Sequence, residues 1–421
     1  MVYKIIRIST FITLVFLVFS FALLLKSPEQ EDSPPLVLTH DKGTLPRFHS
    51  AFETQAAAAE KKTGIRFKPV SSHTTDLFIS RMEANLPTKE APALFTWWQG
   101  DRVRDLVEKN LVADLTELWD RHAAYYPPSI RQSYTRENRV YGFPYSIEYW
   151  PIWYNKKIFE RLELDIPETW EDFIKICETL KKNGIPPILS SLQHSWYATI
   201  WFSQLLMGED PDAYLAFCRN CFRDQRVINV LSLWQDMIKK EYFTPTSTRM
   251  FTNGGHLWKE EAFAMVLCGS WYPSAILMDQ GVPEKDIGVF ILPPHNPDAR
   301  ASLMMESGAL FVAAHSPQRQ KATILADWWM GPEGSLAFSR SLNTFSANTQ
   351  VDTSHLDDFR QVLIQKLYHQ EPMILPRFWE AASGELLQPL TDILSRFMMN
   401  PDLLEETLEE LRLLQEGPVR E

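Results

Sequence analysis

Glycine is scarce in this chain, 16 residues in 421, and neither a GxxxxGK[ST] nor a GxGxxG run occurs. Folds that cradle a phosphate on a glycine-rich turn therefore lack their main signature. No HExxH or GxSxG is present, and the four cysteines supply a single CxxC, Cys218 and Cys221, without the second half of a zinc site. Metal and acyl-transfer chemistry have no motif to rest on, so no cofactor and no metal is expected. Lys+Arg number 42 against Asp+Glu 53, a net charge of −11, which leaves no basic stripe to neutralise nucleic-acid phosphates. Internal repeats and low-complexity tracts are absent too. What is abundant is aromatic: 14 Trp, 13 Tyr and 25 Phe. With 45% apolar and 23% charged residues the chain has the balance of a packed globule, long enough for two lobes.

Lys4 and Arg7 precede an apolar run, Ile8–Leu25, broken only by Ser9, Thr10, Thr13 and Ser20. Positive charge followed by such a run is the pattern of an export signal or a signal anchor. Its length is about that needed to cross a bilayer, ~17–25 residues. Ser20-Phe21-Ala22 is the best small-x-small cleavage site, and no cysteine follows for lipid attachment. A cleaved signal peptide and an uncleaved anchor over residues 1–25 both stand open. Residues 26–35 are a polar, Pro-rich linker, and the rest is expected outside the cytoplasm, periplasmic or on the extracytoplasmic face of the membrane. Cys218 and Cys221 read as small buried hydrophobes or, in that compartment, as a disulfide.

Short apolar strands alternate with segments of helical spacing. Leu36–Thr39, Ile65–Val70, Ala91–Trp97, Ala262–Leu267, Ile287–Leu292 and Ala309–Ala313 read as strands. Arg102–Leu111, Tyr214–Arg223, Val227–Lys240, Ala322–Met330 and Asp402–Gln415 read as helices, and Thr169 is placed to cap another. Pro144 and Pro151 bracket Tyr145–Trp150 and hold it extended. The rhythm predicts an α/β fold with largely parallel pairing.

Three stretches in order carry a resemblance. Tyr141–Phe173 reads YGFPYSIEYWPIWYNKKIFERLELDIPETWEDF, Phe263–Ala275 reads FAMVLCGSWYPSA, and Trp328–Ala337 reads WWMGPEGSLA. From about Leu36 to the C-terminus the chain resembles the extracellular solute-binding proteins of ATP-driven (ABC) sugar importers, the family of the maltose- and trehalose-binding proteins. The resemblance implies a two-lobed periplasmic-binding-protein clamp of type II, each lobe a mostly parallel sheet flanked by helices. Lobe one would comprise residues 36–145 and 295–345, lobe two residues 146–294 and 346–421. The crossings are expected near Pro144–Glu148, Leu292–Pro297 and Ser341–Ser346. A ligand touching both lobes would favour the closed form that a membrane permease reads.

By the same resemblance, Trp271 stacks on sugar, Glu148 accepts sugar hydroxyls, and Asp101 with Arg102 and Asp41 with Lys42 hold hydroxyls from lobe one. His194 and Trp196 fall in a ligand-facing segment of lobe two, and Trp379 in a region that supplies an aromatic platform. Trp97 and Trp98 point oppositely on a strand, so only one can face the cleft, and Trp98 is the candidate. Tyr154, Asn155 and Lys156 are expected to shape the lobe, while Ser307-Gly308 could let backbone approach ligand. Three departures stand out: the missing lipid-attachment cysteine, a longer first connection around Ala51–Lys62, and the absence of an Asp before Leu94-Phe95. Sugar C–H faces stack on aromatic rings and hydroxyls seek carboxylate, amide and Arg partners, which is the mixture these strand ends carry.

The expected function is a non-enzymatic, monomeric saccharide receptor with permease subunits as partners and Glu148 and Asp101 ionised at neutral pH. Its ligand would be a di- or oligosaccharide or a glucosyl-type compatible solute. Two alternatives remain beside it. One is a membrane-tethered sugar sensor; the other is a glycoside hydrolase, for which Glu148 with Asp101 is the one carboxylate pair to test.

Overall fold

The computed structural model describes residues 34–43, 45–100 and 102–417. The N-terminal apolar run and Asp101 lie outside the described residues. Two sheets organise the rest. In the first, β1 (Leu36–His40), β2 (Phe67–Ser71) and β3 (Leu94–Trp97) run parallel in the order β2-β1-β3, joined by helices Pro46–Thr63 and Thr75–Asn85. Leu36, Leu38, Leu94 and Phe95 are essentially inaccessible, as the core positions of such central strands must be.

After a small hairpin of β4 (Thr135–Arg136) and β5 (Arg139–Val140), the chain enters β6 (Phe143–Trp150), which the flanking prolines keep extended. Then β7 (Ile152–Asn155), β8 (Ile188–Leu189), β9 (Met265–Leu267) and β10 (Ile287–Phe290) form the second sheet, in the order β10-β7-β9-β8. β8 and β9 are parallel, and β7 runs against both β9 and β10. Strand β11 (Ser302–Val312) returns to the first sheet, where β6 and β3 pair with it antiparallel and β12 (Met373–Pro376) parallel. Both sheets are thus mixed: β3 and β6 run against β11 in the first, and β7 against β9 and β10 in the second.

The result is the expected two-lobed α/β clamp. Beside β6 lies the stretch around Phe345, whose carbonyl accepts from Ile147 N at 2.9 Å. The Pro-rich stretch Leu292–Pro297 packs against the end of helix Ala198–Glu209. There Asn296 N donates to the Gly208 carbonyl at 3.2 Å and His295 Nε2 lies 2.9 Å from Glu209. The long strand β11 that follows pairs with β3 at one end and β12 at the other, both in the first sheet.

Local signals in the sequence do their expected work. Thr169 Oγ1 accepts from Asp172 N at 3.2 Å and starts helix Trp170–Lys182. Asn155 Oδ1 accepts from Lys157 N at 3.1 Å while its amide donates to the Trp258 carbonyl, so the YNK motif shapes the lobe. Trp119, Trp150, Trp153, Trp201, Trp234, Trp258 and Trp329 are fully buried, so half of the 14 tryptophans belong to the core. All four cysteines are free thiols; Cys218 is buried and Cys221 half-buried, and they form no disulfide.

Candidate ligand-binding cleft

Strand ends build the cleft. β8 and β9 are parallel neighbours, so the segments leaving their carboxyl ends emerge side by side, and Ile152↔Leu267 pairing brings the end of β6 to the same edge. That edge carries Glu148, Tyr149 and Trp150 from β6, Ser270 and Trp271 from the turn after β9, and Trp196 from the segment after β8. Ligands in open α/β sheets bind beyond such carboxyl ends.

Trp271 is half-buried and oriented by Glu306: its indole Nε1 donates to Glu306 Oε1 at 3.0 Å. The other oxygen, Oε2, takes Arg377 Nη1 at 2.5 Å. Arg377 in turn donates through Nε to Glu380 Oε2 at 3.1 Å and through Nη2 to Glu380 Oε1 at 2.7 Å, while its guanidinium lies 5.3 Å over the Trp150 ring. Trp150 meets Trp271 and Trp196 edge to face, at 6.3 and 6.1 Å. Burial would lower the Arg377 pKa, but Glu306 and Glu380 raise it instead, so the guanidinium stays charged. Glu380 is pushed up by burial against the pull of Arg377.

Glu148 is an enclosed carboxylate, 3% exposed. Ser270 Oγ donates to its Oε2, and Thr344 Oγ1 donates to Oε1 at 2.5 Å, tying the Trp271 turn and the third crossing to β6. Nearby Arg360, 1% exposed, donates to the Ser270 carbonyl at 2.6 Å and to Ser274 Oγ at 3.0 Å, and it pairs with Asp357. Burial pushes the Glu148 carboxyl up to about 7, against the lowering effect of Arg360 and the two hydroxyls. An ordinary carboxylate value is therefore replaced by one raised toward neutrality.

From lobe one, Asp41 Oδ1 accepts from Thr96 Oγ1 at 2.9 Å, and Asp41 Oδ2 pairs with Lys42 Nζ at 3.1 Å. Burial alone would raise the Asp41 carboxyl; the Lys42 charge and these hydrogen bonds hold it below its usual value. Lys42 is raised because Asp41 and Glu306 outweigh burial, which places it within electrostatic reach of the Trp271 support. Adjacent His40 is fully buried and pushed down to about 4 by that burial, so it is neutral.

The Arg102 guanidinium lies 4.8 Å over Trp98, while Trp97 spends its indole N–H on the Arg102 carbonyl at 3.2 Å. Both tryptophans are half-buried, their rings edge to face at 5.1 Å. This turn abuts the segment after β12, where Gly100 leaves no room for a side chain beside the Glu380 carbonyl. Trp379, half-buried, stands next to that contact. Gly308 serves packing: a side chain there would run into Tyr145 and Ser146.

Of the residues read from sequence, Glu148, Trp196 and Trp271 come together at the ends of β6, β8 and β9, Asp41 with Lys42 follows β1, and Arg102 packs on Trp98 after β3. Glu306, Arg377, Glu380 and Arg360 were missed. None sits in a recognisable motif, although Glu306 directly precedes the Ser307-Gly308 pair already singled out. Between the lobes, beside Arg47, Phe48, Glu148, Trp271, Ser274 and Arg360, remains a cavity of about 10 Å³, close to the size of one water. Arg47 Nε also reaches across to Asp279 Oδ1 at 2.8 Å.

Comparison with known proteins gives a consistent outcome. Residues 42–335 match the family described as bacterial extracellular solute-binding protein. An uncharacterized ABC transporter extracellular-binding protein of Pyrococcus horikoshii is 22% identical over 382 residues, 87% of this chain and 84% of that protein. Among solved structures, the bacterial solute receptor AcbH, described as exclusively preferring β-D-galactopyranose, superposes with a TM-score of 0.79. It is 14% identical, with 90% of this chain and 97% of that one covered. A chitin oligosaccharide binding protein reaches 0.77 at 20% identity, covering 90% and 98%.

Proposed function

The chain belongs to the bacterial extracellular solute-binding protein family, and from that premise we propose that it is the saccharide receptor of an ATP-driven importer. Members of this family are receptors and not enzymes, so the hydrolase alternative falls. One observation carries the saccharide reading: a half-buried Trp271, fixed by Glu306, shares an inter-lobe passage with charged and hydroxyl groups from both lobes. An aromatic face beside fixed hydrogen-bonding groups is what a sugar ring recognises. The ligand class is a di- or oligosaccharide, or a glycosylated solute.

In this reading Trp271 and Trp98 supply stacking faces, Asp41, Lys42, Asp101 and Arg102 bind hydroxyls from lobe one, and Trp196 and Trp379 border the site. Glu148, whose oxygens are both engaged by the protein, braces the Trp271 turn. The residues between β6 and β11, with the helices after β12, close as lobe two against the first sheet. The closed form is presented to permease subunits by a monomer, tethered through residues 1–25 if that run is not cleaved.

The test is tryptophan fluorescence titrated with a panel of mono-, di- and trisaccharides and glycosylated polyols. Saturable change with one sugar class is expected, and Trp271→Ala should weaken it by about 2 kcal/mol, roughly thirtyfold in affinity. A flat response from folded protein would overturn the reading. Equal affinity in wild type and variant would remove Trp271 from the site.

A further inference from the structure

We propose that the saccharide site continues outward along lobe two and takes a chain of sugar units, the outermost seated in the cavity at Gln193, Thr246, Ser247 and Arg249. This rests on the saccharide-receptor reading and adds to it a ligand length and a second subsite.

The wall is built by three segments tied to one another. Leu192 N donates to the Thr246 carbonyl at 2.7 Å, Ser191 Oγ to the Thr248 carbonyl at 2.5 Å, and Phe251 N to Gln193 Oε1 at 3.1 Å. The last bond sets Phe251, at the start of helix Met250–Lys259, between the two strand-end segments. Its ring lies 6.2 Å from Trp271 with planes 25° apart, 5.5 Å from Trp196 and 5.0 Å from His194. The His194 and Trp196 rings are within 7° of parallel. Trp271, Phe251 and Trp196 are half-buried and His194 is exposed, so the strip keeps aromatic surface open from the cleft outward.

Beyond it lies a cavity of about 450 Å³, lined by Leu192, Gln193, Thr246, Ser247, Arg249 and Thr252. That hollow is open to solvent, whereas the space beside Trp271 holds about one water. Hydroxyls and a guanidinium supply both donors and acceptors, the Gln193 amide is spent on Phe251 N and Thr252 Oγ1, and no carboxylate lines it. Such a lining suits the hydroxyls of a neutral sugar. A ligand confined to Trp271 would leave Phe251, Trp196 and this cavity in water. A ligand of several units would run along the ring faces and end among the hydroxyl partners.

The experiment compares affinities, by calorimetry on the purified protein, for ladders of mono- to pentasaccharides in α-glucan, β-xylan, chitin and galactoside series. Within the series that binds, affinity should rise by about tenfold or more from the shortest to the longest ligand, the gain of a further aromatic contact. Ser247→Leu occupies the cavity from an exposed position and should cut that long-to-short ratio by about tenfold. Phe251→Ala should cut it likewise, and Phe251→Tyr, which keeps the ring, should restore it. A monosaccharide or disaccharide bound as tightly as any longer member overturns the extension while leaving the receptor intact. Unchanged ratios in Ser247→Leu and Phe251→Ala overturn it as well. Binding of no saccharide in any series would overturn the receptor reading and this inference together.

Discussion

Replacing Glu148 by glutamine isolates the most sensitive titration of the cleft. The carboxyl sits at about 7 against an ordinary 4.5, because burial on β6 penalises its charge more than Ser270, Thr344 and Arg360 favour it. The folded protein therefore holds a proton that the unfolded chain has already released between those two values. Wild-type stability from this group is full at low pH, falls as pH rises from about 4.5 to about 7, and changes no further above. The total is about 3 kcal/mol, at about 1.4 kcal/mol for each pH unit between the two values. The glutamine side chain has the same shape and no charge; one hydroxyl keeps donating to its amide oxygen and the other can turn to accept from its amide nitrogen. Glu148→Gln should thus gain on wild type as the pH rises, by about 2–3 kcal/mol between roughly pH 5 and pH 8. Urea unfolding of both proteins at several pH values reads the difference directly, since every other titrating group is shared. A gap that stays constant, or that moves against the variant with rising pH, would refute the assignment of burial as the dominant cause.

Two further substitutions probe the supports of the cleft. Arg377→Ala leaves the Glu306 and Glu380 carboxylates without their cation and should cost about 3–5 kcal/mol in urea unfolding; a loss under about 1 kcal/mol would mean that water replaces the guanidinium. Gly100→Ala adds a side chain at φ 72° against the Glu380 carbonyl, so it should cost more than about 1 kcal/mol in a thermal melt, and an unchanged melt would show that the turn is free to move.

How much of this was legible depends on the range over which each feature is decided. β1, β6 and the helix capped by Thr169 came out close to their expected bounds, because apolar runs, flanking prolines and a capping hydroxyl act within a few residues. β11 did not: it begins at Ser302, where Ala309 was expected, because its first half gains strand character only from pairing with β6 and β12. The same shift hid Glu306, which the shorter strand left in a loop.

The tryptophans teach the complementary lesson. Their number invites a reading in terms of stacked sugars, yet seven are fully buried. Trp150 and Trp271 are separated by 6.3 Å, and one is core while the other is half-open. Nothing in either local sequence distinguishes them; what does is position beyond a strand end and a polar partner for the indole. Trp271 has both, the second in Glu306, itself held by Arg377 from just beyond β12, far along the chain. A sugar pressed onto Trp271 would therefore press on a ring whose N–H is already directed, and the side chain loses little freedom on binding. In the proposed reading the supporting carboxylate and guanidinium would act by removing alternatives from the aromatic face, although neither has to touch the ligand. That dependence is why Trp271 stands out in a short motif while Glu306 and Arg377, which fix it, do not.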